Sequence, residues 1–519
     1  MSNTFHYGSS HLTIGICLDI AKGKTKGIIG HHASEKVIAS WREVEKIVHA
    51  QLPVYGINTG FGPLCDTRIS EADTSQLQVN LLKSHSVGIG KPIPQEIAKL
   101  MLISKVQALA QGYSGIALTT LERIIWHIDH DIIPVVPEKG SVGASGDLAP
   151  LAHLFLPLIG EGEVFANGDK FHASDILSRH GLQPLTLGPK EGLALINGTQ
   201  FILAFAVKAV ERLNNALDAA DLIGAMSLEG LMGSARPFDE RLHQLRPYKG
   251  SKHVAKRLHT LLNESEICNS HINCDRVQDP YSLRCMPQVH GASRNAWLHL
   301  KELTEIELNS VTDNPIVFNA DDTISGGNFH GQPLAMVLDY ATIATAELGN
   351  IADRRCYLMS EGRYGLPKLL TNNAGLHSGL MIPQYTTAAL VTENKTLCFP
   401  ASADSVPTSL GQEDHVSMGS ISGRKLHQVI DNLEYIQAIE LLYATQAMDF
   451  RRPLKSTPVV EALHSLVRQK VSFIEDDRIF ATDINNLHQL ITNGSLLATA
   501  GDAAAKHHIN LNDDDFGIY

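Results

Sequence analysis

The sequence lacks a CxxC pair, a cluster of basic residues and an apolar run of membrane-spanning length, and each absence removes a class of function. Seven cysteines, Cys17, Cys65, Cys268, Cys274, Cys285, Cys356 and Cys398, are scattered and odd in number, so neither a disulfide framework nor a zinc ribbon is indicated. Reduced thiols in a cytoplasm are the expectation. Lys and Arg total 43 against 55 Asp and Glu, a formal charge of −12 spread over 519 residues. Without basic runs, nucleic acid and anionic membrane are not expected partners. The most apolar segment, around Leu148 to Ile159, is broken by Pro150, His153 and Pro157, and falls short of the ~20 residues that span a bilayer. The first residues, "MSNTFHYGSSHLTIGICLDIAKGKTKG", lack the basic start and apolar centre of a secretory signal. A small-molecule enzyme fits this composition best.

What is present divides the chain by texture. Residues 1–200 mix short helical patterns with Gly- and Pro-rich loops, which often carry function. Residues 201–519 are dominated by long helical patterns and a C-terminal helical region. The stretch from Gly198 to Met232 repeats apolar residues at three- and four-residue steps and reads as a buried helix. Further helices are expected over Ala292–Ser310, Leu334–Ser360 and Ser420–Phe450, each free of internal proline. In "LAMVLDYATIATAELGNIAD" more than one face is apolar, which implies a central position or a subunit interface. The fold class is therefore mainly α, an elongated helical bundle with a loop-rich N-terminal region. The acidic end, "NLNDDDFGIY", reads as a tail or surface cap.

One loop poses a question. "GSVGASGDLAPLAHL" surrounds the plain tripeptide Ala144, Ser145, Gly146 with two more glycines, Gly140 and Gly143. By itself the tripeptide is a tight turn. The same residues also permit a reaction: the Gly146 nitrogen can close on the Ala144 carbonyl carbon, since no Cβ at Gly146 blocks the bend. Loss of one water closes a five-membered ring, and loss of the Ser145 hydroxyl as a second leaves a methylene conjugated to the ring carbonyl. The product is an electrophile that no unmodified side chain supplies.

Other segments carry polar or aromatic residues in unusual loops. "VYGINTGFG" sets Tyr55 among tight glycine turns, where a buried structural tyrosine is the plain reading. "NLLKSHSVGIG" holds Ser84 and His85, "GLALINGTQ" puts Asn197 at a helix start where it can serve as an N-cap, and "SGGNFHGQP" holds Phe329, Asn328 and His330. "VQDPYSLRCMPQVHG" brings together Gln278, Tyr281 and Arg284; a guanidinium matches a carboxylate with paired donors, so Arg284 is the candidate anchor for an acid substrate. "TSLGQEDHVSM" supplies Gln412, Glu413, Asp414 and His415 without the ligand spacing of a helical metal motif.

Taken together these motifs resemble the aromatic amino acid ammonia-lyases that carry a 4-methylideneimidazol-5-one group, from about Tyr55 to the "QEDHVSM" segment and beyond. The resemblance implies the helical architecture of the aspartase and fumarase type, although the Gly-Ser-Ser loop of those relatives is absent, because Gly8-Ser9-Ser10 and Met286-Pro287 lie far apart. It implies that Ala144, Ser145 and Gly146 form the group without an external cofactor or a metal. Tyr55 would be the base for the β-proton, a task that brings a phenol of reference pKa ~10 toward the working pH. Tyr281 would be a second active-site phenol, with His85, Asn197, Gln278, Arg284 and Phe329 binding substrate. It also implies a cytoplasmic homotetramer whose sites draw on more than one subunit.

Within the family, Ser84-His85 and Glu413 are the histidine-type features. A carboxylate can hold an imidazole in one tautomer and is costly against a bare phenyl ring. The implied reaction is deamination of L-histidine to trans-urocanate and ammonia. Amine attack on the electrophile and attack by the imidazole ring use the same residues, and amine attack serves every substrate class in the family. Tyrosine or phenylalanine lyases and aminomutases on the same scaffold are the alternative, and a structural helical protein in which the turn never cyclises is a third. Two positions depart from the usual pattern: Met286 stands where Gln is common, and Gly411 where many histidine-type members have Asn.

Overall fold

The computed structural model describes residues 3–50, 54–62, 69–511, 516 and 519. Cys65 and the acidic residues 513–515 lie outside them. Four long helices form the body: Gln200–Gly230 with 31 residues, Met286–Leu308 with 23, Gln332–Ser360 with 29 and Gly419–Asp449 with 31. At 1.5 Å per residue the 31-residue helices are about 45 Å long.

Their directions follow from which residues meet. Gly331 and Gly419 both pack on Ile202, Gly423 packs on Phe205, and at the other end Gly230 packs on Ala447. The helices that begin at Gln200, Gln332 and Gly419 therefore run parallel, and all three start at one end of the bundle. The Met286 helix runs against them: Met286 lies beside Gly224, Trp297 Nε1 donates to Val210 O at 2.9 Å, and Glu307 reaches Thr199. The Gln200 helix is buried on nearly every face, as an all-round apolar sequence requires.

Three of the four expected helices start within two residues of their expected positions. The fourth begins at Met286 instead of Ala292, because Pro287 falls in the first turn, where a proline starts a helix rather than breaking it. The sequence patterns did not reveal nine short strands among the described residues, gathered in small two- and three-stranded sheets. Seven of these strands lie before residue 173, in the mixed region.

Two apolar cores share the long helices. One joins residues from the N-terminal region to the first half of the Gln200 helix, and the other encloses its second half with the C-terminal helices. One line of the Gln332 helix stays uncovered, with Met336, Tyr340, Ile343 and Tyr357 all exposed. Among the described residues no helix is long and apolar enough to cross a membrane.

Candidate active site

The glycines around the tripeptide are required by backbone contact. Ser145 and Gly146 both take left-handed conformations, with φ of 52° and 77°. A Cβ on Gly146 would overlap Gly198 O, and one on Gly143 would overlap Ser417 Oγ. Strands of loop thus press together at spacings that only glycine allows. The next residue ties the turn to the bundle: Asp147 N donates to Gly198 O at 2.8 Å, and Asp147 Oδ2 accepts from Ile202 N at 3.0 Å in the first turn of the Gln200 helix. Asp147 is fully buried, and burial pushes its carboxyl up to about 7.

Ser145 faces a cavity of about 690 Å³ whose wall includes Tyr55, Phe61, His85, Asn197, Phe329 and Glu413. Six of the residues singled out from the sequence, Tyr55, His85, Ser145, Asn197, Phe329 and Glu413, meet here from six separate segments. Tyr55 Oη accepts from Gly62 N at 3.3 Å across its glycine turn. His85 ends the Glu71–His85 helix, and its Nδ1 lies 3.0 Å from Ser84 Oγ. Partial burial lowers the His85 pKa, with the negative charge of Glu413 opposing that shift. The ring is therefore held toward its neutral form, which can donate from one nitrogen and accept at the other.

Glu413 is fixed at both oxygens. Oε1 accepts from the Ser145 hydroxyl, and Oε2 accepts from Ser409 Oγ at 2.7 Å and Thr408 Oγ1 at 3.2 Å. The turn that delivers it runs through three consecutive left-handed residues, Ser409, Leu410 and Gly411, with φ of 51°, 56° and 89°. Gly411 relieves the last of these without a Cβ, and the space around it is open. Strain concentrated at a cavity wall is a recurrent mark of a functional loop.

Asn197 Nδ2 donates to Ser145 O at 3.0 Å, while its Oδ1 is buried without a hydrogen-bond partner. Asn197, Phe329 and Glu413 each lie just before one of the three parallel helices, so three positive helix ends converge on the cavity.

Gln278, Tyr281 and Arg284 are elsewhere. Gln278 and Tyr281 are exposed, Arg284 stacks 4.5 Å from the Tyr281 ring centre, and its Nε donates to Asp279 O at 2.9 Å. Leu283 in the same turn packs near Gly233, just beyond the end of the Gln200 helix. These residues and Asn197 are therefore separated by the length of that helix, about 45 Å. Buried Arg355, paired with Glu440, donates to Ser282 O at 3.3 Å and holds the turn in place. Met286 is buried against Gly224 at this far end, away from the cavity of its own chain.

Three residues that brace the site were not singled out from the sequence. Asp147 follows the tripeptide directly, and Ser409 precedes Glu413 by four positions. Lys105 had a clearer signal: a single charge inside the apolar run "LMLISKVQALA".

A helical bundle with a strained Ala-Ser-Gly turn beside a cavity at one end and the Gln278, Tyr281 and Arg284 segment at the other defines a class, and comparison agrees with it. The chain belongs to the aromatic amino acid lyase family, whose model matches residues 12–469. It is 47% identical to the histidine ammonia-lyase of Myxococcus xanthus over 490 residues, covering 94% of this chain and 96% of that protein. The crystal structure of histidine ammonia-lyase from Trypanosoma cruzi superimposes with a TM-score of 0.89 at 40% identity, covering 100% of this chain and 98% of that one. Tyrosine aminomutase from Streptomyces globisporus has a TM-score of 0.90 at 34% identity, with 98% and 99% covered. The shared scaffold thus serves more than one substrate, and the side chains lining the cavity must distinguish them.

Proposed function

We propose that this enzyme is a histidine ammonia-lyase that converts L-histidine to trans-urocanate and ammonia. The observation that carries the reading is the meeting of Glu413 and His85 with Ser145 in one cavity. A carboxylate braced by two hydroxyls suits an imidazole N–H and is a poor neighbour for a phenyl ring. Net reaction breaks the Cα–N bond and removes one β-hydrogen as a proton; the electron pair of the C–H bond becomes the new double bond.

Ala144, Ser145 and Gly146 fit the 4-methylideneimidazol-5-one group by the left-handed turn at Ser145 and Gly146, by the exclusion of a side chain at Gly146 and by the Asn197 Nδ2 donor on Ser145 O, the oxygen that would become the ring carbonyl. Once formed, that group would supply the electrophilic carbon that makes the amine a better leaving group. Around it the chain's own residues divide the work. Tyr55 takes the β-proton on Oη. Glu413 accepts the imidazole N–H, His85 orients the ring, and Phe329 packs against it. Asn197 holds the tripeptide and the bound amino acid.

Arg284 binds the substrate carboxylate, with Tyr281 and Gln278 beside it, from a neighbouring copy of the chain. Their distance from the cavity of their own chain supports this division, and the uncovered apolar line of the Gln332 helix supports assembly as a homotetramer. The enzyme then works as a cytoplasmic tetramer, with residues 1–200 carrying the cyclised turn and residues 201–519 forming the bundle and C-terminal helices.

Assay of the purified enzyme on histidine, tyrosine and phenylalanine tests the substrate. Histidine is expected to give the highest kcat/KM with urocanate as product, and a higher value for tyrosine would overturn the reading.

A further inference from the structure

Lys105 is a cation in the wrong place for an ordinary lysine. It sits in the Gln95–Leu109 helix among Leu102, Ile103 and Val106 and is 1% exposed. A buried ammonium ordinarily lies against a carboxylate, because leaving water is costly for an unpaired charge. Here the nearby carboxylate, Asp313, is already bound by Lys190 at 2.5 Å, with both groups buried. The hydrogen bond that Lys105 makes is to a main-chain carbonyl: Nζ donates to Asn197 O at 2.5 Å.

That carbonyl belongs to the clamp on the tripeptide. Asn197 grips Ser145 O through Nδ2, and Gly198 accepts from Asp147 N while pressing on Gly146. Two consecutive residues therefore hold the turn on either side of Gly146, and Lys105 fastens the first of them from behind. The charged groups around its ammonium are Asp313, Lys190 and Asp147, the residue after Gly146, while the hydrogen bond from Nζ goes to Asn197 O.

We propose that Lys105 is a positioning residue for ring closure: by holding Asn197 O it fixes the Asn197–Gly198 backbone against which Ala144–Ser145–Gly146 bends. Ring closure forms the bond from Gly146 N to Ala144 C and expels the Ala144 oxygen as water with the amide hydrogens of Ser145 and Gly146. The second water takes the Ser145 hydroxyl and its α-hydrogen. Lys105 gives up no atom in either step.

This inference rests on the proposed cyclisation, and the readout separates the two. Trypsin releases residues 140–170 as one peptide, whose mass falls by about 36 Da when two waters are lost. Wild type, Lys105→Met, Lys105→Gln and Lys105→Arg are purified, their folding is followed by circular dichroism and thermal melting, and the cyclised fraction of that peptide is measured. Absence of the mass loss in wild type overturns the cyclisation itself.

With wild type cyclised, folded Lys105→Met is expected to show at least a tenfold lower cyclised fraction. Lys105→Arg, which keeps a donor of sufficient reach, is expected to restore it. Lys105→Gln is neutral and one atom shorter, and should fall between. A role confined to core packing would lower the melting temperature and leave the peptide fully cyclised. Full cyclisation in folded Lys105→Met, or in folded Lys105→Gln if the Met variant does not fold, overturns the proposal. Loss of folding in both neutral variants also overturns it, since it assigns Lys105 to the core alone.

Discussion

Ser145 and Glu413 are hydrogen-bonded to each other although 268 positions separate them in the chain. The pair joins the residue that would become the electrophile to the residue that would select the substrate. Changing one side should therefore separate chemistry from recognition.

Ser145→Ala removes the hydroxyl lost in the second dehydration. Deamination is expected to fall to background and the peptide spanning 140–170 to lack the full two-water loss, while the melting temperature stays near that of wild type. Mass spectrometry with a urocanate absorbance assay checks both. Near-normal turnover would sink the assignment of the tripeptide.

Glu413→Gln keeps the shape of the side chain and removes its charge. A hydrogen bond to a charged group is worth roughly 1.5–3 kcal/mol, so kcat/KM for histidine should fall by about ten- to a hundredfold. Ser409→Ala removes one brace at Oε2 and should cost about fivefold, near 1 kcal/mol. Steady-state kinetics on both variants would reveal the order, and a larger effect at Ser409 would contradict the role given to Glu413.

Arg284→Ala and Ser145→Ala disable opposite ends of the chain. If each site is shared between copies, either variant alone is inactive, and co-expression of the two restores activity through mixed assemblies that contain intact sites. No recovery in mixtures shown to be hybrid would place Arg284 outside the site.

Asp147 gives a pH signature. Its folded carboxyl titrates at about 7, above the 3.8 of an ordinary aspartate, because burial disfavours the charged form. Between these values the folded state binds the proton more readily, so the stabilising contribution is complete below about pH 4 and is lost as pH rises through about 7. Melting temperatures of wild type and Asp147→Asn, measured from pH 4 to 8, should therefore shift in favour of the variant as pH rises. A constant difference would show that Asp147 does not titrate in this range.

Much of the site could be read from several motifs taken together. Alone, the small tripeptide reads as a turn and Tyr55 among glycines as a buried structural residue; they stand out through the resemblance that these motifs and the Glu-Asp-His string carry together. The bundle was legible for a different reason: apolar periodicity over thirty residues is a strong signal, and proline position set the one displaced start at Met286. Ser409 acts through a backbone turn that leaves no local pattern, and Lys105, although visible as a lone charge in an apolar run, acts on Asn197 O, a partner distant in sequence. The short strands were invisible because segments of two to five residues carry too little alternation to register.

The Gln200–Gly230 helix has a consequence beyond packing. It holds the residues proposed to grip the substrate's acid group at a fixed span from those proposed to act on its amine, and under that assignment no isolated copy would contain a whole site. On that reading catalysis should disappear on dilution before the fold does. In a cell making both normal and defective chains, a copy faulty at one end would spoil one site, whereas a copy faulty at both ends would spoil two, and only then would the loss of activity exceed the fraction of faulty protein.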